Sequence, residues 1–394
     1  MKAMILAAGF GTRLLPYTES TPKPLFPIDG RPLLDIIIEN LQKAGCESII
    51  INTHHLHQKI TSFIAQQHYD ISVHIRLEPV ILGTGGAIKN VADFWDDRPF
   101  MVINSDILTD IDLKQVYDFH VNHGHPVTLV LRDYSGLNHV TVDQEGFIAG
   151  FYDLITNRSF KKYAFTGIHV IDPDILNCIP NNVFFNIMDV YKKRIAEGGK
   201  IKAFVPERCY WEDIGTLEKY KKAVIENMAP RVFKKIWPDH LSKRMESIRL
   251  KGDGSDRIWY RLKDGDRSLI MADHGMRTHS EKAEIDSFVS IGRHLYSKGL
   301  PVPRIYRHDA FSGIVFMEDL GDLNLQGVIQ AAGSPEKIVA HYQSLIKLLI
   351  RLSVWGRKGF DTSWTYQTPY YSRELILEKE CRYFVDAFIK GYCG

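Results

Sequence analysis

The first residues with chemistry in them form a cluster suited to an anionic ligand. In MILAAGFGTRLLPYTESTPKPL (4–25) an apolar run enters Ala8, Gly9 and Gly11, Thr12 and Arg13 follow, and Lys23 stands between two prolines. Bare amides at the glycines can approach a chain of phosphates because no Cβ intervenes. Arg13 offers a planar fork that grips phosphate bidentately, and Lys23 adds a compact charge from the far end of the loop. Two carboxylates stand at the ends of apolar runs elsewhere: Asp106 in VINSDIL (102–108) and Asp213 in YWEDIGT (210–216). Read singly, Asp106 is equally a turn aspartate, and Asp213 is equally a strand-end carboxylate neutralised by a lysine. A parallel sheet gathers strand ends into one crevice, where the two can face a single cation.

Other anion-binding readings fail on spacing. A dinucleotide fingerprint needs a third glycine where Leu14 stands, and an acid where the second strand ends at Asn52 and Thr53. A Walker lysine follows a glycine directly, whereas Lys23 lies 12 residues beyond Gly11. The histidines of NTHHLHQ (52–58) read as a solvated helix start, not a metal cluster. With 49 basic and 47 acidic residues there is no bulk field for nucleic acid. Five scattered cysteines without a CxxC pair argue against a disulfide framework or zinc site and fit a reducing cytoplasm. The first residues enter a strand without a charged n-region and cleavage site, so they do not read as a signal peptide, and no apolar run reaches the ~20 residues of a membrane span.

The elements that must position these groups alternate in type. KAMILAA (2–8), ESIIIN (47–52), SVHIRL (72–77), FMVIN (100–104) and VTLVL (127–131) read as strands. Amphipathic stretches at 32–45, 56–68, 86–95 and 113–124 read as helices between them, which implies a doubly wound α/β sheet. After residue 133 the pattern turns to an antiparallel excursion, in which Gly150 is open between a β-bulge and a ligand contact. A domain at 1–228 is followed by an expected linker at 229–244, rich in basic residues and carrying Pro230 and Pro238. Residues 245–394 read as a second, α+β domain with a small sheet around a glycine turn, then helices.

The loop LAAGFGTRLLPYTESTPKPL resembles the signature of the sugar-1-phosphate nucleotidyltransferases, with its G-x-G-T-R and P-K-P pieces. The resemblance implies a Rossmann-like, GT-A-like mixed sheet that binds a nucleoside triphosphate and a sugar 1-phosphate. Gly9, Gly11, Thr12 and Arg13 would face the triphosphate, and Lys23 the reacting phosphates. LEPVILGTGGAIKN (77–90) would supply a base- and ribose-binding turn with Glu78, Gly83, Thr84, Gly85 and Gly86. Asp106 and Asp213 match the family's metal carboxylates, and hard oxygen ligands beside a phosphate substrate point to Mg²⁺. In AFTGIHVI (164–171) Thr166 and Gly167 match its acceptor strand, with Asn186 a further sugar contact. A molybdopterin nucleotidyltransferase shares the loop but not the need for the long acceptor region at 133–215. A non-catalytic nucleotide-binding scaffold is disfavoured by the intact charged set.

Residues 245–322 are similar to the N-terminal lobe of aminoglycoside phosphotransferases and anomeric amino-sugar kinases, through LKGDGSDRIWYRL (250–262), SLIMAD (268–273), GLPVPRIYRHD (299–309) and FMEDLGD (316–322). The first of these would turn over nucleotide phosphates. SLIMAD lacks the usual lysine, and no H-x-D-x-x-x-x-N loop follows, so kinase activity is not expected. A kinase-like lobe beside a nucleotidyltransferase implies consecutive salvage steps. That favours UTP and N-acetylmuramate 1-phosphate, while LGTGGAIK is also similar to the GTP-dependent mannose- and heptose-1-phosphate guanylyltransferases. An incomplete kinase lobe would expose helix faces, giving either a homodimer through 330–394 or disorder there.

Overall fold

The computed structural model describes residues 1–151, 160–239, 245–251, 257–278, 283–366 and 368–393. Two compact units divide the chain, Met1–Asn227 and Met228–Gly394.

In the first unit, strands β1 (Lys2–Ala7), β2 (Ser48–Thr53), β3 (Ser72–Leu77) and β4 (Phe100–Asn104) alternate with helices α1 (Leu33–Lys43), α2 (His57–Ala65) and α3 (Gly83–Asn90). Helix α1 shows why this pattern folds. Leu33, Leu34, Ile37, Ile38 and Leu41 recur on one face and are all buried, each contributing about 1.5–3 kcal/mol. The four strands are parallel, in the order β3-β2-β1-β4. Successive strands are added on one side of β1, and then β4 is placed on the other. At that reversal the loops after β1 and β4 part, and a crevice opens beyond their carboxyl ends. The glycine loop and Asp106 are therefore delivered to one place by topology.

The remainder of the unit completes the walls of that crevice. It comprises β5 (Ile107–Thr109), α4 (Leu113–His123), β6 (Val127–Arg132), β7 (Val140–Val142), β8 (Ile148–Phe151), β9 (Lys161–Ile171), α5 (Ile187–Ala196), β10 (Lys202–Phe204) and β11 (Trp211–Asp213). Strand β9 lies antiparallel between β4 and β6 and extends onto β7, forming the expected excursion. The register between β7 and β8 slips between Ile148 and Gly150, which favours the bulge reading of that glycine. Strand β11 pairs antiparallel with β5, setting Asp213 opposite Ile107. The core behind the site includes Met4, Val102, Leu129, Ile171 and Tyr191.

The expected linker is corrected at its start. Residues 229–236 are the last turns of helix α6 (Leu217–Ile236), with Pro230 inside it. Proline forfeits one helical hydrogen bond, but Met228, Ala229, Val232 and Phe233 form a buried stripe that holds the helix together. Residues 240–244 of that expectation lie outside the described residues.

The second unit contains β12 (Glu246–Arg249), β13 (Ile258–Asp264), β14 (Arg267–Asp273), α7 (Glu284–Ser297), β15 (Ile305–Asp309) and β16 (Ile314–Glu318). Its strands are antiparallel, in the order β12-β13-β14-β16-β15. Ala272, Ile285, Val289, Val315 and Met317 pack the sheet against α7. The glycine turn expected to cover phosphates falls at 252–256, outside the described residues. Helix α8 (Pro335–Arg351) starts at Ser334, whose hydroxyl caps Lys337 N, and none of its residues is buried. Among the described residues no helix is long and apolar enough to cross a membrane.

A chain of neutral histidines braces β6. The amide of His125 donates to His123 Nδ1 (3.0 Å), so His123 must donate from Nε2 to Thr128 Oγ1 (2.6 Å). The Thr128 hydroxyl then donates to His120 Nδ1 (2.8 Å), and His120 Nε2 donates to Asp172 (3.0 Å). Burial pushes His123 down to about 4 and the buried His169, against Tyr191, down to about 3. Burial also lowers His120, outweighing Asp172. A depressed histidine pKa means that the unfolded chain binds more protons once pH falls below the ordinary 6.5. Denaturant unfolding should therefore give stability that is level above about pH 6.5 and declines as pH drops toward about 4. A flat profile between pH 7.5 and 5 would contradict this account.

Candidate active site

The loop after β1 borders a cavity of about 390 Å³. Gly11 adopts φ +67°, a conformation glycine enters without strain, and Leu14 N–H returns to its carbonyl (2.9 Å). Thr18 is fully buried and donates its hydroxyl to the same carbonyl (3.1 Å). A Cβ on Gly11 would lie 2.8 Å from the Thr18 methyl, so the loop closes only around a glycine. Opposite, Asn52 links three strand ends. Its Oδ1 accepts from Ala7 N (2.8 Å), its Nδ2 donates to Glu78 Oε1 (2.8 Å), and Glu78 Oε2 accepts from Leu82 N (3.1 Å). Ala8, Gly9, Thr12, Gly83 and Thr84 complete the predicted residues on this wall.

A second cavity of about 310 Å³ lies over the antiparallel excursion. Arg13, Asn104 and Asp106 line both cavities, forming the boundary at which two bound molecules would touch. Lys23 Nζ contacts the Asp106 carboxylate directly. Asp213 reaches the second cavity from β11, with Ile214 N–H donating to the Asp106 carbonyl (2.9 Å). The two carboxylate-bearing segments, remote in sequence, are thus hydrogen-bonded neighbours. Asp213 is held by Gly215 N–H (2.6 Å) and Lys219 (3.2 Å). Alternation along β11 puts Trp211 beside Asp213 on the cavity, while buried Glu212 accepts from Tyr134 (2.8 Å) and pairs with Lys222.

Close approach explains two glycines. Gly167 has φ +80°, and a Cβ there would stand 2.5 Å from Asn104 Nδ2. A Cβ on Gly215 would fall 2.6 Å from both Arg13 Nη2 and Asp213 Oδ1. Thr166 lines the second cavity, but its hydroxyl donates to Val130 O (2.7 Å) and its carbonyl accepts from Trp211 Nε1 (2.9 Å). It braces the wall through these bonds.

Three expected contacts are relocated. Gly85 and Gly86 are buried in the first turn of α3 and line neither cavity. Both amides donate to Phe185 O (2.9 and 3.1 Å), so they are spent on packing and not left for a base. A Cβ on Gly86 would lie 2.4 Å from Val183 O. Asn186 also lines neither cavity; it caps α5 by accepting from Met188 N (3.0 Å) and accepts from Thr84 Oγ1 (3.1 Å). Sequence reasoning missed Asn104, Trp211 and Gly215. Trp211 sits two residues before Asp213 on the same strand, where alternation was the available signal, and Asn104 ends β4 just before the turn that carries Asp106.

Among the described residues there is no group of three or more potential metal ligands. Asp106 and Asp213 nevertheless present hard oxygens to one cavity, the donor set that suits Mg²⁺ when substrate phosphates and waters complete the shell.

The sequence pattern of nucleotidyl transferases matches residues 2–228. The chain belongs to the nucleotidyl transferase family. It is 30% identical over 236 residues to the D-glycero-alpha-D-manno-heptose 1-phosphate guanylyltransferase of Campylobacter jejuni, covering 58% of this chain and all of that one. It is 29% identical over 243 residues to a UTP–glucose-1-phosphate uridylyltransferase of Synechocystis, covering 57% of this chain but only 62% of the relative's length. A UTP-bound UGPase from Acinetobacter baumannii shares the fold, with a TM-score of 0.51 at 19% identity, covering 61% of this chain and 99% of that one.

In this nucleotidyl transferase, Gly215→Ala must displace Arg13, Asp213 or both. Because charge-assisted contacts are worth about 1.5–3 kcal/mol, nucleoside triphosphate affinity should fall roughly tenfold or more. Calorimetric titration alongside a melting curve checks it, and an unchanged affinity would show that the glycine is not spacing the pair.

Proposed function

We propose that the chain transfers a nucleotidyl group from a nucleoside triphosphate to a sugar 1-phosphate, releasing pyrophosphate. The observation that carries this reading is the shared wall: two cavities meet at Arg13, Asn104 and Asp106. The triphosphate occupies the cavity under the glycine loop, and the sugar phosphate the cavity over β9.

A phosphate oxygen of the sugar attacks the α-phosphorus. The new P–O bond forms as the bond to the bridging oxygen breaks, and pyrophosphate leaves with that electron pair. The nucleophile is already anionic, so no side chain need remove a proton. Arg13 favours the departing pyrophosphate, and Lys23 turns from Asp106 to neutralise the α-phosphate. Mg²⁺, when held by Asp106 and Asp213, supplies charge compensation on the phosphate oxygens. Asn104 offers a neutral donor at the boundary. Trp211 and Thr166 keep the acceptor wall rigid.

For the acceptor we favour N-acetylmuramate 1-phosphate with UTP, in cell-wall sugar salvage. The second cavity supports this with Leu137, Val140, Phe151, Phe165 and Met188, apolar groups that suit acetamido and lactyl methyls. A GTP-dependent mannose- or heptose-1-phosphate reaction is the second reading, favoured by the full-length match to a heptose guanylyltransferase. A kinase-like lobe at 245–394 is supported by its five-stranded antiparallel sheet with α7 between the third and fourth strands. Exposed Val339, Tyr342, Ile346 and Leu349 on α8 support a homodimer through that part of the chain. Five unpaired thiols favour the cytoplasm.

Pyrophosphate release, measured across four nucleotides and a panel of sugar 1-phosphates, should identify one preferred pair. Asp106→Ala and Lys23→Ala should remain folded and lose about 10²–10³-fold in turnover. Near-normal turnover in either variant would overturn the mechanism.

A further inference from the structure

The mechanism leaves unused the turn that follows β2, Thr53 to Leu56. Leu56 adopts φ +51°, a left-handed conformation that a bulky side chain rarely takes and that persists only where its surroundings enforce it. The two histidines before it are half-buried, and each has a ring nitrogen against a backbone carbonyl. Since a carbonyl only accepts, His54 must donate from Nδ1 to Glu78 O (2.7 Å) and His55 from Nε2 to Thr18 O (2.8 Å). Thr18 is the buried residue whose hydroxyl fixes Gly11. From the loop, Phe10 leans its edge on His54 (5.4 Å between centroids, 85°) and lies tilted against His55 (5.8 Å). Lys59, one turn into α2, reaches the Ser20 carbonyl. Residues 10, 18 and 20 of the anion-binding loop are therefore tied from outside to residues 54, 55 and 59.

We propose that this turn is a latch holding the phosphate-binding loop in its nucleotide-receiving form, with His55 a positioning residue acting through Thr18 and Gly11. The proposal rests on the reading of that loop as the triphosphate site. His55 lines neither cavity, so it touches no substrate. Its effect comes from preorganisation: a loop already fixed loses less conformational freedom when it closes around phosphates. Half-exposed Phe10 has the same logic, since its ring is placed on the imidazoles and not in the core. A solvated helix start would explain the histidines' position but not two carbonyl contacts, an aromatic pair and a left-handed leucine in succession.

UTP and GTP are titrated calorimetrically into the full chain without acceptor, and pyrophosphate release is measured with both substrates varied. For His55→Ala, nucleotide Kd and KM should rise roughly five- to tenfold, the effect of one hydrogen bond. The acceptor KM and the saturated kcat should stay within about twofold. His55→Gln, which keeps an N–H at similar reach, should recover most of the affinity. Phe10→Ala, at an exposed position, should weaken nucleotide binding without loss of folding. Wild-type nucleotide affinity in both His55→Ala and Phe10→Ala would overturn the latch while leaving the catalytic reading intact. A lowered kcat at unchanged Kd would overturn it as well. If the unsubstituted chain neither binds nucleotide nor releases pyrophosphate, the reading of the loop falls, and the latch falls with it.

Discussion

A lysine from the first loop and an aspartate beyond the fourth strand, 83 residues apart in sequence, meet beside the two cavities of the first unit. Their contact sets the condition that the surrounding structure must satisfy. A chemistry that brings two phosphorylated molecules together needs positive charge to gather them and negative charge to hold a cation between them. Left open, such groups repel substrate or collapse on one another. Here the opposite charges of Lys23 and Asp106 compensate each other at the boundary of two cavities. Asp213 is similarly matched by Lys219. Arriving phosphates would give the cations new partners and free the carboxylates for metal, an exchange of ion pairs that would avoid burying bare charge.

Glycine makes that density of charge possible. Gly11 lets the loop turn tightly over Thr18, Gly167 admits the Asn104 amide, and Gly215 lets Arg13 and Asp213 share one side of the backbone. Each is a close approach that a methyl group would prevent. Gly85 and Gly86 serve close approach too, but between α3 and the segment before α5. The same residue type thus shapes the cavity walls in three places and serves simple packing in another. The Asn52–Glu78 pair completes the frame by tying together the ends of three parallel strands, so the end of β1 and the start of α3 are joined in one wall.

Much of this was legible in the chain. The alternation of apolar runs and amphipathic stretches encodes the doubly wound sheet, because strand and helix periods are local properties. Arg13 and Lys23 stood out because a glycine loop with flanking cations has few other uses. Asp106 and Asp213 were visible as acids at the ends of apolar runs, each with an equally good bland reading; the pairing of β5 and β11 sets their segments side by side, and Lys219 sits against Asp213 as the bland reading has it. The linker expectation failed at 229–236 because Pro230 is a strong local signal, while the buried stripe that overrides it exists only once the helix has something to pack on. Asn186 caps α5 in the structure, which the chain alone did not reveal: a polar residue before a helix caps it or binds ligand, and sequence does not separate the two.

The sequence by itself determined which groups are present and which local shapes they favour: a bare, cationic loop, acids at strand ends, and a turn of histidines. Tertiary structure decided which of them meet. Strand order placed the reversal between β1 and β4 and so brought Lys23 to Asp106. Antiparallel pairing brought Asp213 alongside, and packing assigned Gly85 and Gly86 to a helix contact. The physical reason is that propensity acts over a few residues. Proximity between remote residues is set by how the sheet is ordered and by which faces must be buried together.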